Sequence, residues 1–475
     1  MHITEFLIDI IKLLYISTAI GVVVVVLFDN RNPLKSLAWI LVLISMPILG
    51  LVLYFFFGQN TNRLVIIKRS TYRRIIQRPL TPPPTTQHPI PKPIERLVQL
   101  NRHHAHAPLL KSDNIEIFHD GNECFEAIKA GILAARHHIH LLFYIFEDDE
   151  TGREIQRLLI EKAQQGVEVR VIIDDVGCWR VPTAFFKKME QHKVACHRYL
   201  RVVLPFLTST ANYRNHRKIL VIDGSVGYIG SFNIADRYVK GNKLGKWSDT
   251  HIKLSGQAVR GLQSTFLIDW YTVSKQELES EQYFPTLPPP SDSAPMTQIV
   301  TGGPTDPWHT LLESTAMMIY SAQRYLYIQT PYYMPTESLE QALETIARSG
   351  VDVRVMLSYR SDSKMVSAAS RSYLSKLLRA GIKVYLYRDG FLHSKFIISD
   401  DYSAAVGSTN FDYRSFEHNF EANAFIYNEK TCRRLKHLFM EDIKSCQRLD
   451  LKMWQKRHIL KKFAESTARL ASPIL

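Results

Sequence analysis

His216-Arg217-Lys218-Ile219-Leu220-Val221-Ile222-Asp223 and His393-Ser394-Lys395-Phe396-Ile397-Ile398-Ser399-Asp400 share one pattern, HxKxxxxD, and stand 177 residues apart. Gly230-Ser231-Phe232-Asn233 follows the first and Gly407-Ser408-Thr409-Asn410 the second, at the same 177-residue interval. Two motifs repeated in register mark an internal duplication. A histidine and a lysine two positions apart on an apolar run fall on one face of a strand, because strand side chains alternate with period two. Asp223-Gly224 and Asp400-Asp401 then read as turns closing a strand pair.

Outward from these motifs the two halves keep matching. Gly166-Val167-Glu168-Val169-Arg170-Val171 has its counterpart in Gly350-Val351-Asp352-Val353-Arg354-Val355. Each follows an amphipathic helical stretch (151–165 and 336–349), and each helix follows an apolar strand (139–146 and 325–329). Strand, helix, strand predicts right-handed crossovers onto a mainly parallel sheet in each half. A proline-rich patch at 285–295 separates the halves.

Phosphodiester exchange explains a doubled histidine. One imidazole attacks phosphorus; a second, on the opposite side, protonates the departing alkoxide and then activates the incoming alcohol. Lys218 and Lys395 are suited to neutralising the non-bridging phosphate oxygens, with hydrogen bonds from Asn233 and Asn410 or from Ser231 and Ser408. This chemistry needs no metal and no cofactor. Asp223 and Asp400 read either as turn formers or as direct participants. The clusters His103-His104-Ala105-His106 and His137-His138-Ile139-His140 lack the carboxylate or cysteine partners of a zinc site and are expected to be surface or helix-face histidines.

The chain carries 59 Lys and Arg against 45 Asp and Glu, a net charge of +14. That excess favours a phosphate-bearing partner, whether nucleic acid, an anionic membrane or a phosphorylated substrate. Five cysteines without CxxC spacing argue against a disulfide framework and point to reduced thiols. Residues 6–28 and 36–57 are apolar runs long enough to span a bilayer. They are joined by the short polar turn 29–35, which predicts a transmembrane hairpin. A cleaved signal peptide fits poorly, because the run is too long and a second span follows at once. Arg63, Lys68, Arg69, Arg73, Arg74 and Arg78 after the second span outnumber Arg31 and Lys35 in the turn. Both termini and the large soluble part are therefore expected in the cytoplasm. Seven prolines over 79–93 predict a stiff spacer.

The doubled HxKxxxxD with GSxN resembles the phospholipase D superfamily. The stretches Tyr144-Ile145-Phe146 with Asp149 and Gly152, Trp247 to His251, Thr330-Pro331-Tyr332-Tyr333-Met334-Pro335, and Pro47-Ile48-Leu49-Gly50 through Tyr54 to Gly58 are similar to bacterial cardiolipin synthases within it. The resemblance implies an α/β fold: two phospholipase D-like α/β/α sandwich domains in pseudo-twofold arrangement, preceded by an N-terminal two-helix transmembrane hairpin. The expected organisation is a hairpin over 1–60, a basic and proline-rich linker over 61–107, domain 1 over 108–283, a linker over 284–296, and domain 2 over 297–475 with a basic C-terminal helix. The resemblance implies one half-site of His216, Lys218 and Asp223 and another of His393, Lys395 and Asp400. It makes His216 the nucleophile, and it makes Asp249 and Glu421 carboxylates that orient the histidines, unless these are structural ion pairs.

The implied reaction moves a phosphatidyl group from one phosphatidylglycerol to another, giving cardiolipin and glycerol. Phosphatidylglycerol and anionic membrane lipids are the expected partners, with no nucleic acid, at the bacterial cytoplasmic (inner) membrane. The rival readings are a phosphodiesterase, either a phospholipid hydrolase or a nuclease, and a non-enzymatic membrane scaffold. The basic stretch 454–470 reads equally as a helix resting on the membrane surface or as one packing between domains.

Overall fold

Unbroken apolar runs near the N-terminus and alternating, turn-punctuated segments after it produce two kinds of structure. The computed structural model describes residues 2–28, 33–54, 58, 67, 71, 74–75, 90–202, 212–278, 281–306 and 308–473. It resolves into two units, Met1–Val65 with Val202–Tyr213, and Ile66–Arg201 with Arg214–Leu475. Several features expected from sequence lie outside the described residues. They are 29–32 of the polar turn, 55–57 of the second span, Arg63, Lys68, Arg69, Arg73 and Arg78 of the basic cluster, and 79–89 of the proline-rich spacer.

Among the described residues, the first unit holds three helices, α1 (His2–Phe28), α2 (Pro33–Ser45) and α3 (Pro47–Leu53). Within α1, Thr4–Phe28 is long and apolar enough to cross a membrane. The second span, expected to run unbroken over 36–57, is interrupted at Met46. Pro47 has no N–H to give to the carbonyl of Leu43. The carbonyl so released accepts a hydrogen bond from the Tyr15 hydroxyl of α1 at 3.2 Å, the kind of repair that lets proline persist in a membrane helix. Val26, Leu43 and Tyr54 form a small core. Phe6, Ile11, Leu14 and Leu27 are mostly exposed, an exterior that suits lipid.

The second unit contains two sheets of the same design. The first comprises β1 (Ile115–Phe118), β2 (His138–Phe143), β3 (Glu168–Asp174), β4 (Ala195–Tyr199), β5 (Lys218–Ile222), β6 (Val226–Gly230) and β7 (His251–Ser255), in the order β1-β7-β6-β5-β2-β3-β4. The second comprises β8 (Met296–Gly302), β9 (Tyr325–Gln329), β10 (Asp352–Ser358), β11 (Lys383–Tyr387), β12 (Phe396–Ser399), β13 (Ser403–Gly407) and β14 (Asn419–Tyr427), in the order β8-β14-β13-β12-β9-β10-β11. Short strands, Leu110–Lys111 and Cys446–Arg448, extend the two edges of the second sheet. The crossover helices are Glu150–Gln164 and Glu337–Arg348, and the opposite faces carry Val259–Ser274 and Glu429–Ile443.

The expectation of mainly parallel sheets needs correction. Among the long strands of the described residues, parallel pairing is confined to β2-β3-β4 and β9-β10-β11. The motif strands β5 and β12 pair antiparallel to both neighbours. Tight turns cause this: Asp223 and Gly224 both have left-handed backbone, φ 51° and 64°, which reverses the chain at once.

The predicted linker over 61–107 also differs from the structure. Lys92–His103 is a helix whose Ile94, Leu97 and Val98 join the core of the second sheet beside Leu311 and Met318. Spacings of three and four among its apolar residues drive that burial. A further apolar core is shared by both sheets, with Ile219, Val221 and Ile252 packing alongside Tyr327, Phe396 and Ala422.

Candidate active site

Just before each motif histidine the chain forms a two-residue parallel pair with the other half. Arg214 and Asn215 lie opposite Asn419 and Phe420, and Phe391 and Leu392 lie opposite Trp247 and Ser248. The His216 N–H donates to the Phe420 carbonyl at 2.9 Å, and the His393 N–H donates to the Ser248 carbonyl at 2.8 Å. Each histidine is thus set beside the carboxylate that follows its partner strand. His216 Nδ1 stands 2.9 Å from Glu421 Oε1, and His393 Nδ1 stands 2.7 Å from Asp249 Oδ2. The pairs cross the seam, so each half supplies the carboxylate for the other half's imidazole. An Nδ1–H held by a carboxylate leaves Nε2 as the nitrogen with a free lone pair.

The serines of the GSxN motifs support those carboxylates. Ser231 Oγ donates to Asp249 and Ser408 Oγ donates to Glu421 in short hydrogen bonds. Lys218 Nζ donates to the His216 carbonyl at 2.5 Å and lies 5.3 Å from the centroid of the Tyr144 ring. Lys395 Nζ donates to the His393 carbonyl at 2.6 Å and stands 3.1 and 3.2 Å from the two ring nitrogens of His393.

Burial dominates the electrostatics. It pushes His216 down to about 4, with the charge of Lys218 adding to the effect and Glu421 opposing it. It lowers His393 to about 4 as well, helped by Lys395 and opposed by Asp249. Burial brings Lys395 to about 8 against the pull of Asp249 and Glu421, and pushes Lys218 well down. It would raise the carboxylates, but His393, Lys395 and Ser231 hold Asp249 at about 2, and His216, Lys218 and Ser408 hold Glu421 below its ordinary value. Lys395 acts on His216, and Lys218 acts on His393. The six groups therefore form one interacting cluster, which titrates as a set.

The two sides of the cluster differ. Trp247, Tyr238 and Phe391 surround His393 with ring centroids 5.3–5.9 Å away. His216 instead borders a cleft of about 200 Å³ with Tyr144, Arg214, Tyr332, Asp412 and Arg414 among its lining. Asn410 lines the cleft too. Its counterpart Asn233 is engaged elsewhere, accepting from the Ile145 N–H and donating to the Tyr238 hydroxyl.

The structure does not bring Asp223 and Asp400 to the histidines. Asp223 accepts from the backbone N–H groups of Arg136, His137 and His138. Asp400 does the same for Gln323, Arg324 and Tyr325. Both sit at the far ends of β5 and β12, where they fasten the motif strand to its neighbour. His138 and His140, expected on a surface or helix face, lie instead in the core, hydrogen-bonded to Gln263, with His140 stacked on Phe266. Gly152 is required by packing, since a Cβ there would meet the Glu147 carbonyl oxygen at 1.9 Å.

Sequence reasoning assigned no role to Arg414, Asp412, Tyr332 or Arg214. One signal was available for the first: the 177-residue offset pairs Arg237 with Arg414. Arg237 bonds to Glu147, while Arg414 faces the cleft. Burial raises Asp412 to about 6, although it caps the helix Tyr413–Glu417 through the Ser415 N–H.

Two matched α/β/α halves that bring two HxK strands to one seam define a phospholipase D-like protein. Residues 128–244 and 316–443 match the family described as "Cardiolipin synthase, PLD-like domain", and residues 17–59 match "Phospholipase_D-nuclease N-terminal". A cardiolipin synthase of Geobacillus kaustophilus is 38% identical over 99% of this chain and 94% of its own length. One from Geobacillus thermodenitrificans is also 38% identical, over 99% of this chain and 94% of its own. Among solved structures, a phosphatidylserine synthase of Haemophilus influenzae shares the fold with a TM-score of 0.59 at 17% identity, covering 80% of this chain and 100% of that one. The chain belongs to the cardiolipin synthase family, phosphatidyltransferases of the phospholipase D type. With its apolar helix Thr4–Phe28, it is a membrane-associated enzyme of phospholipid metabolism.

Proposed function

We propose that the enzyme condenses two phosphatidylglycerol molecules into cardiolipin and glycerol, with His216 as nucleophile and His393 as acid and base. The carrying observation is the crossed pairing of imidazole and carboxylate, with His216 at the cleft. Nε2 of His216 forms a bond to phosphorus as the phosphorus–oxygen bond to glycerol breaks, and His393 gives its proton to the leaving oxygen. The hydroxyl of a second phosphatidylglycerol then passes its proton to His393 and attacks phosphorus, and the phosphorus–nitrogen bond breaks. Burial keeps both imidazoles neutral in the empty site, which suits a nucleophile. The negative diester, held between Lys218 and Lys395, raises His393 towards protonation.

The aromatic wall around His393 limits water, which would otherwise divert the intermediate to hydrolysis. Asp223 and Asp400 act here as positioning residues, and Ser231 and Ser408 hold the orienting carboxylates. The enzyme sits in the bacterial cytoplasmic membrane as a multi-pass protein with its catalytic body on the cytoplasmic side, a reading supported by the excess of basic residues after the second span.

The test is reconstitution with labelled phosphatidylglycerol and quantification of lipids and glycerol. Cardiolipin and glycerol in equal amounts are expected, with loss of both in His216→Ala and His393→Ala. Phosphatidic acid as the main product would replace this reading with a hydrolase. Rapid denaturing quench at alkaline pH, where a phosphorus–nitrogen bond survives, compared between the wild type and His216→Ala, identifies the residue carrying the phosphoryl label.

A further inference from the structure

The C-terminal helix Ile459–Arg469 is built inside out. Ile459, Phe463 and Leu470 are spaced by four and seven, which places them on one helical face. They are 75, 72 and 80% exposed. Leu460 borders the stripe and Met453 precedes it, both also exposed. The opposite face anchors the helix. Glu465 is buried and accepts from Arg457 Nη1 at 2.7 and 2.8 Å, while Ala468 packs into the core of the second sheet. A surface helix ordinarily buries its apolar stripe; this one is held by a buried ion pair and presents the stripe outward.

Charge says what covers it. Lys452, Lys456, Lys461 and Lys462 flank the stripe and are exposed. Glu465, the helix's single acid, is turned inward against Arg457, so the outward surface is basic and apolar together. A second copy of this chain would set the same lysines against each other. We propose that this helix and the turn before it form a peripheral membrane-docking element that lies on an anionic bilayer, its apolar stripe among the upper acyl chains and its lysines at the headgroup phosphates. The helix packs on Lys364–Arg379, and Ser363 and Val366 at the start of that neighbour line the cleft. Docking therefore brings the rim of the cleft to the lipid surface. This last consequence rests on the proposed lipid transfer; the docking does not.

The test is hydrogen exchange of the full-length protein in nanodiscs holding one copy each, made of phosphatidylcholine alone or with phosphatidylglycerol. Amides over 459–470 are expected to exchange about tenfold more slowly on the anionic discs, with the protection lost at high salt and in Phe463→Glu. Lys456→Glu with Lys461→Glu should lose the protection on anionic discs while leaving exchange in β2 and β9 unchanged, which shows that the fold survives. Equal exchange on both kinds of disc overturns the proposal. So does protection that appears in lipid-free detergent and grows with protein concentration, which would make the stripe a contact between copies. Cardiolipin formation is read separately, so failed docking and failed transfer are distinguishable.

Discussion

Glu421→Gln keeps the shape of the side chain that His216 leans on and removes its charge. An imidazole without its orienting carboxylate loses both its fixed tautomer and the stabilisation of its charged form, so transfer should fall on the order of 10²-fold. Asp249→Asn should do the same through His393. Because the carboxylates cross, the two variants should differ: Glu421→Gln chiefly impairs formation of the phosphoryl-enzyme, whereas Asp249→Asn impairs both its formation and its turnover, since His393 serves both steps of the proposed cycle. Measuring the burst and steady-state phases of glycerol release separates them. The pH profile at low substrate is set by the empty enzyme. On the proposed assignment, protonation of His216 near 4 removes the nucleophile on the acid side, and neutralisation of Lys395 near 8 removes phosphate-binding charge on the alkaline side. The expected profile is a bell between these values, and a Lys395→Arg variant should move the alkaline limb upward.

At the scale of elements, the motif aspartates belong to the strands. Asp400→Ala removes the acceptor for three backbone N–H groups from a position with left-handed backbone, φ 51°. The expected cost is about 3 kcal/mol of stability, seen as a lower unfolding midpoint, while the fraction that remains folded still transfers lipid. Asp400→Asn, which tolerates that backbone and keeps one acceptor oxygen, should cost less. The spacing HxKxxxxD displayed these residues in the sequence but not their separation, since five strand positions carry the aspartate to the other end of β12. The duplication was legible because 177 residues separate both the two HxKxxxxD copies and the two GSxN copies. The crossing was not, because the two-residue bridges Arg214–Asn215 and Trp247–Ser248 are too short to carry a periodic signal. Pro47 did announce a break in the second apolar run, but a reading based on apolar length passes over it.

For the whole molecule, the weight of buried histidine predicts acid sensitivity. Burial brings His138 and His251 to about 3, and His216 and His393 to about 4, against about 6.5 in an unfolded chain. The folded body refuses protons that the unfolded chain accepts, so stability is full above about 6.5 and falls as pH drops towards 4. The loss between pH 7 and 5 should be on the order of several kcal/mol, measurable as a falling thermal midpoint in detergent. Replacing His138 and His140 with a similarly sized apolar pair should flatten that slope.

The seam has one more implication. Two separate, identical polypeptides meeting on a dyad would have to present the same acid to both imidazoles and the same wall to both sides. One continuous polypeptide is under no such constraint. Here aspartate serves one ring and glutamate the other, and an asparagine that is locked in one lobe borders open space in its twin. Covalent fusion thus gives this enzyme a left hand and a right hand, which a reaction that receives a donor and then an acceptor can use.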